Sequence, residues 1–180
     1  MSSFLITLVL MITATSKNLN AISEDEAKLS ALFNVYMKVT SDSMLSDIRA
    51  SQRARKQILA IAPESKYSLY IKAEDAATYE NRKIAIKMLS EILKNHNDFA
   101  AAYTKRGLLR IGYSNREAEW ALADFQKAVN LNRQESRAYA GMAEVYRQMG
   151  KIKKACENYF LALGAGYPET VRFSGLCDHR

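Results

Sequence analysis

Glycine and proline are scarce in this chain of 180 residues, with 7 and 2 copies. A strand-and-turn sandwich needs many of both at its turns, and a collagen-like repeat needs glycine at every third position, so both are excluded. Cysteine and histidine number two each, so a four-ligand zinc site would consume all of them. HExxH, GxxxxGK[ST], GxSxG and CxxC are absent from the sequence, which removes the compact signatures of metal, phosphate-loop, serine-nucleophile and dithiol chemistry. His96 lies in the polar stretch Asn95-His96-Asn97-Asp98, and His179 stands one residue from the end; neither has a positioned partner for acid–base work. Glu117, Glu119 and Asp124 gather near Trp120, but an i, i+2 spacing splits the first pair between helix faces. No catalytic, cofactor-binding or metal-binding residue is expected, and the chain does not read as an enzyme.

Charge of one sign is also never concentrated. The net charge is +7, from 26 Lys/Arg against 19 Asp/Glu. Residues 22–97 carry 12 basic and 10 acidic side chains, and residues 98–180 carry 13 and 9. The densest basic group is Arg49, Arg53, Arg55 and Lys56, in a stretch whose opening turns hold Asp42 and Asp47. Acid early and base late complements a helix dipole, so a solvated helix face is the reading and nucleic acid is not expected. Polyanion binding through this group is the weaker alternative.

The one long uncharged stretch is Phe4 to Thr15, before the first charged side chain at Lys17. It is too short for a bilayer core, which takes about 20 residues, but it fits a secretory h-region. The expectation is a signal peptide over residues 1–21, cleaved after Ser16 or Ala21, and an exported, periplasmic or secreted product. An uncleaved N-terminal anchor is the alternative, because Met1-Ser2-Ser3 supplies no basic side chain.

Beyond the leader the apolar residues recur at helical spacing. Ser23 and Glu26 have the S-x-x-E spacing of a capping box, and Leu29, Leu32, Phe33 and Tyr36 follow at i, i+3, i+4 and i+7. Ser41-Asp42-Ser43 interrupts this helix, and a second runs from about Met44 to Ile61, with Leu45, Ile48, Ile58 and Leu59 apolar and Pro63 just past its end. Thereafter the sequence repeats. Ala121, Phe125 and Ala128 return as Ala155, Tyr159 and Ala162, each 34 residues later. Tyr103 and Gly107 return 36 residues later as Tyr139 and Ala143, the two extra residues falling within Gly112 to Glu117. Ala85 and Leu89 precede Ala121 and Phe125 by 36, and Leu69 and Ala73 precede Tyr103 and Gly107 by 34.

Small and aromatic positions at this period make the chain resemble the tetratricopeptide repeat family. The copy over residues 136–168 carries Tyr139, Met142, Ala143, Tyr146, Gly150, Ala155, Tyr159 and Ala162. The copy over 100–135 carries Tyr103, Gly107, Ala121, Phe125 and Ala128, but places Arg106 and Arg110 where apolar or aromatic residues are usual. The copy over 66–99 is degenerate, with Leu69, Ala73, Ala85, Leu89 and Ile92; residues 22–65 form a helical pair that is a candidate eroded repeat, with Pro63 at the usual closing position. Residues 169–180 read as a truncated helix A, with Phe173, Leu176 and Cys177 in the places of Tyr139, Met142 and Ala143. The resemblance implies an all-α fold, a right-handed superhelix of antiparallel helix pairs closed by a short C-terminal capping helix.

It also implies a non-enzymatic protein–protein interaction module whose A helices line a concave groove. Carried over by position, that groove would present Tyr67, Tyr70, Thr104, Lys105, Leu108, Arg137, Glu144, Arg147 and Gln148 to a peptide or protein segment, an acidic one being suited to the Lys and Arg side chains. Tyr70 and Glu74 stand where chaperone-binding members carry Lys and Asn, so chaperone tails are not expected. The alternative is a structural or adaptor subunit of a cell-envelope assembly, docking through the convex face or the N-terminal helices. Cys156 follows Ala155 in the last helix B, on the side that meets the next helix A, and Cys177 lies in that helix. An exported chain with an even cysteine count favours a Cys156–Cys177 disulfide; two buried free thiols are the alternative.

Overall fold

A computed structural model describes residues 24–38, 45–78, 81–112, 114–168 and 171–177. Among these the chain is helical throughout, with no strand. The helices are α1 over 24–37, then α2 Leu45–Ile61, α3 Lys66–Asp75, α4 Arg82–Asn95, α5 Ala100–Arg110, α6 Asn115–Leu131, α7 Ser136–Gln148, α8 Ile152–Gly164 and α9 Val171–Cys177. The leader, Ser23 and the Ser41-Asp42-Ser43 break lie outside the described residues. No helix among the described residues is long and apolar enough to cross a membrane.

The chain divides after Ser68 into two compact units. In the first, Leu29 and Phe33 of α1 and Ala54 and Ile58 of α2 are buried, and the Phe33 ring lies 5.0 Å from that of Tyr67. Glu26 takes a hydrogen bond from the Tyr67 hydroxyl (3.1 Å) and pairs with Lys66 (2.8 Å). Its carboxylate therefore serves the start of α3. The Ser68 hydroxyl satisfies the last carbonyls of α2, at Ile58 and Ala62, groups that a helix end otherwise leaves without a partner. Ile48, expected on the apolar face of α2, is exposed; Ser51, Ala54 and Ile58 form that face instead.

In the second unit successive helices pack as neighbours, α5 against α6, α6 against α7, α7 against α8, and α5 also against α7. Phe125 of α6 is fully buried at the centre of one apolar cluster with Ala121, Ala128, Met142 and Val145. Its ring is clamped between two glycines. A Cβ at Gly107 of α5 would fall 2.6 Å from it, and one at Gly141 of α7 would also collide with it. Helices meet this closely only where one contributes no side chain. A second cluster gathers Ala143, Ala155, Cys156, Tyr159, Phe173 and Cys177. The turn out of α5 and the turn out of α7 are made by Gly112 (φ 87°) and Gly150 (φ 71°), in the left-handed region that glycine enters freely.

The two extra residues of the first clear copy are absorbed by α6. It begins six residues before Ala121, capped by the Ser114 hydroxyl on the Glu117 amide (3.2 Å), whereas α8 begins three residues before Ala155. The added turn brings Glu117 to 3.7 Å from Arg110.

Candidate functional site

α5, α7 and α9 occupy corresponding places in successive pairs, and a concave cleft of about 310 Å³ opens between them. Leu108 of α5 and Ile111 just past its end, Ala140 and Gly141 of α7 and Phe173 of α9 make its apolar wall, with Tyr159 and Tyr167 beside them. Arg137 and Glu144 are its charged margin. The cleft is open for a specific reason. Gly175 of α9 stands 34 residues after Gly141, yet a Cβ there would meet nothing within 4 Å. α9 rests instead on a ring-to-ring contact, Phe173 stacked on Tyr159 at 4.9 Å and 18°. A glycine-to-ring contact closes the α6–α7 joint; at the α8–α9 joint the close approach lies instead at Cys156 and Cys177, with Cα atoms 5.6 Å apart, and Phe173 on Tyr159 walls the cleft beside it.

Of the expected groove residues, the cleft unites Leu108, which is 36% exposed, with Arg137 and Glu144. Arg147 and Gln148 both bind Glu144 on the same helix, the guanidinium at 2.7 and 2.9 Å and the amide at 2.8 Å. Glu144 thus holds Arg147 still more firmly protonated and fixes its own carboxylate at the cleft margin. Gln148 lines a different recess, at the turn before α6 with Gly112 and Ser114. Lys105 reaches back to Glu74 of α3 (2.7 Å). Thr104 is buried, its hydroxyl donating to the Ala100 carbonyl (3.2 Å).

Tyr67 and Tyr70 are not presented to a groove. They are 5% and 1% exposed, Tyr67 packed on Phe33 and Tyr70 with its ring 5.7 Å from Phe99. Large apolar rings with a neighbouring element on that side gain more by entering the core than by facing water. Three of the four basic residues in α2, Arg49, Arg53 and Lys56, are exposed. His96 ends α4 and borders an apolar recess with Leu69, Met88 and Ile92; His179 lies outside the described residues. No group of three or more metal-ligating side chains occurs among the described residues.

The feature that sequence reasoning missed is a buried charge network. Asp124 of α6, 4% exposed, receives Arg106 at 3.0 and 2.6 Å and Arg110 at 2.6 Å, while Arg106 also donates to the Ser90 hydroxyl at 3.0 Å. The signal was present: two arginines at apolar positions of helix A require an acid at an interior position of helix B. Ile111, Gly141 and Tyr167 were also missed, because the apolar pattern marks a face without distinguishing its floor from its core.

Burial pushes the Glu135 carboxyl upward, against the opposing effects of the Arg137 charge and the Thr104 hydroxyl. Arg137 is thereby tied to the loop before α7 as well as to the cleft.

Comparison with known proteins bears directly on this architecture. No family model matches the chain. A TPR repeat-containing protein of Methanocaldococcus jannaschii is 31% identical over 104 residues, which is 58% of this chain but 18% of that protein. The chain therefore matches less than a fifth of that relative's length. The crystal structure of MamA superposes with a TM-score of 0.51 at 19% identity, covering 81% of this chain and 82% of that one. The chain has a tetratricopeptide-repeat fold. Tetratricopeptide-repeat proteins are typically non-enzymatic scaffolds for protein–protein interaction.

Proposed function

We propose that this tetratricopeptide-repeat chain binds a partner protein by receiving an extended segment of it in the cleft between α5, α7 and α9. The observation that carries this reading is an open apolar wall, Leu108, Ala140 and Phe173, with Arg137 and Glu144 at its margin. An apolar side chain of the partner would fill the space over Ala140 and Gly141, and an acidic neighbour would meet Arg137. The preference for a negative neighbour is mild, since Glu144 is satisfied within its own helix. Photo-cross-linking from benzoylphenylalanine at position 108, in cells of the native host, tests it. A cross-linked protein lost on Ala140→Trp supports the cleft; an unchanged cross-link after that substitution overturns it.

A second reading, docking through the convex face as an adaptor of an envelope assembly, has its own observation. Phe160 and Leu161 of α8 are each 53% exposed, and Leu161 borders a recess of about 550 Å³ with Val129 and Met142. Partner capture lost with Phe160→Glu but kept with Ala140→Trp would favour this face. Export is part of both readings and rests on the apolar leader. N-terminal sequencing from the native host should start near Lys17 or Ile22, and an intact Met1 on a soluble cytoplasmic protein would contradict it.

A further inference from the structure

The second apolar cluster is tied by a covalent bond. Cys156 of α8 and Cys177 of α9 lie with sulfurs 2.06 Å apart and Cα atoms 5.6 Å apart. α9 has seven residues, too few to be stable as a helix without support. Its described anchors are this bond, the Phe173–Tyr159 stack and the half-buried Leu176, which packs on the same cluster. Phe173 is also a wall of the cleft. One bond therefore holds both the terminal helix and part of the binding surface.

We propose that Cys156–Cys177 is a redox latch that sets the affinity of the cleft, an inference that rests on the cleft being the binding site. Reduction needs a dithiol, as in proteins of the CxxC class. One of its thiolates attacks a cysteine sulfur, the Cys156–Cys177 bond breaks and a mixed disulfide forms; the second thiol displaces that sulfur. The chain ends with two thiols and the dithiol ends as its disulfide, with two electrons and two protons transferred. Both cysteines are only 5% exposed, so attack requires a local opening of the side chains around the bond. Once the bond is broken α9 no longer stays down, Phe173 leaves the cleft, and the apolar wall loses that ring. By linkage, a segment that touches Phe173 holds α9 in place and favours the oxidised form by the same factor by which oxidation favours the segment.

The test uses the full oxidised chain and peptides selected against it by phage display, kept only when Ala140→Trp abolishes their binding. Affinity is measured before and after dithiothreitol, the thiol–disulfide ratio is titrated in a dithiothreitol redox buffer with and without peptide, and amide exchange is followed in parallel. We expect reduction to weaken the peptide about tenfold, saturating peptide to shift the redox midpoint by that same factor, and exchange over 171–177 to rise about a hundredfold while α5 to α7 stay protected. Cys177→Ala should reproduce the reduced affinity without reductant. If no selected peptide is sensitive to Ala140→Trp, the cleft reading fails and the latch with it. If a sensitive peptide binds oxidised and reduced chains equally, or if α9 stays protected on reduction, the latch alone fails.

Discussion

The α6–α7 joint and the α8–α9 joint are built from corresponding positions and end in opposite states. At the first, Phe125 is clamped by Gly107 and Gly141 and the helices are closed on it. At the second, Tyr159 takes the place of Phe125 and Gly175 that of Gly141, but Phe173 stacks on the ring, a Cβ at Gly175 would meet nothing within 4 Å, and the space beside them is the cleft. An interior repeat is held by close packing from both sides. At the α8–α9 joint a disulfide adds to the packing of Phe173 and Leu176. The proposed binding surface lies beside that joint.

Breaking the closed joint should have the largest effect. Phe125→Ala removes a ring that is fully buried and should lower stability by about 3–5 kcal/mol, read from urea unfolding. Asp124→Asn would leave Arg106 and Arg110 without their buried carboxylate and should cost about 3 kcal/mol by the same measurement. At the open joint, Phe173→Ala should cost less, about 1–2 kcal/mol, because it sits on a seven-residue helix that a disulfide also holds, and should weaken any cleft-bound peptide. The smallest effect belongs to Glu135. Its carboxyl is raised from 4.5 in the folded chain by burial, so the folded state holds the proton more tightly than the unfolded state. Stability is then greatest below pH 4.5 as far as this group is concerned, and falls as pH climbs from 4.5 through the raised value. Glu135→Gln should remove that fall and raise neutral-pH stability by under about 1 kcal/mol, seen as a flatter profile of melting temperature against pH.

The repeat was legible because sterics impose it. Ala121, Ala155, Phe125 and Tyr159 recur at 34 residues since two helices meet only where small faces large. The helix breaks at Gly112 and Gly150 and the proximity of Cys156 to Cys177 follow from the same register. Tyr67 and Tyr70 show where position alone misleads: in the corresponding places of α7, Arg137 and Ala140 reach the cleft, while these two aromatics have Phe33 and Phe99 to pack on and turn inward. The Arg106–Asp124–Arg110 network was not legible because a charge pair between helices has no period; only the misplaced arginines hinted at it. The open cleft was hidden for a related reason. Gly141 and Gly175 are the same letter in the same register, yet a Cβ at the first would collide with Phe125 and one at the second would meet nothing within 4 Å.

The most direct test of that difference is the pair Gly141→Ala and Gly175→Ala, made separately in the oxidised chain and unfolded in urea. A methyl at 141 meets a ring that Gly107 already blocks from behind and should cost about 2 kcal/mol. A methyl at 175 enters open space within a helix and should cost nothing, or add up to about 1 kcal/mol through better helix propensity. Equal losses at the two positions would mean that α9 closes on Tyr159 as α7 closes on Phe125, and the account of an open terminal joint would be wrong.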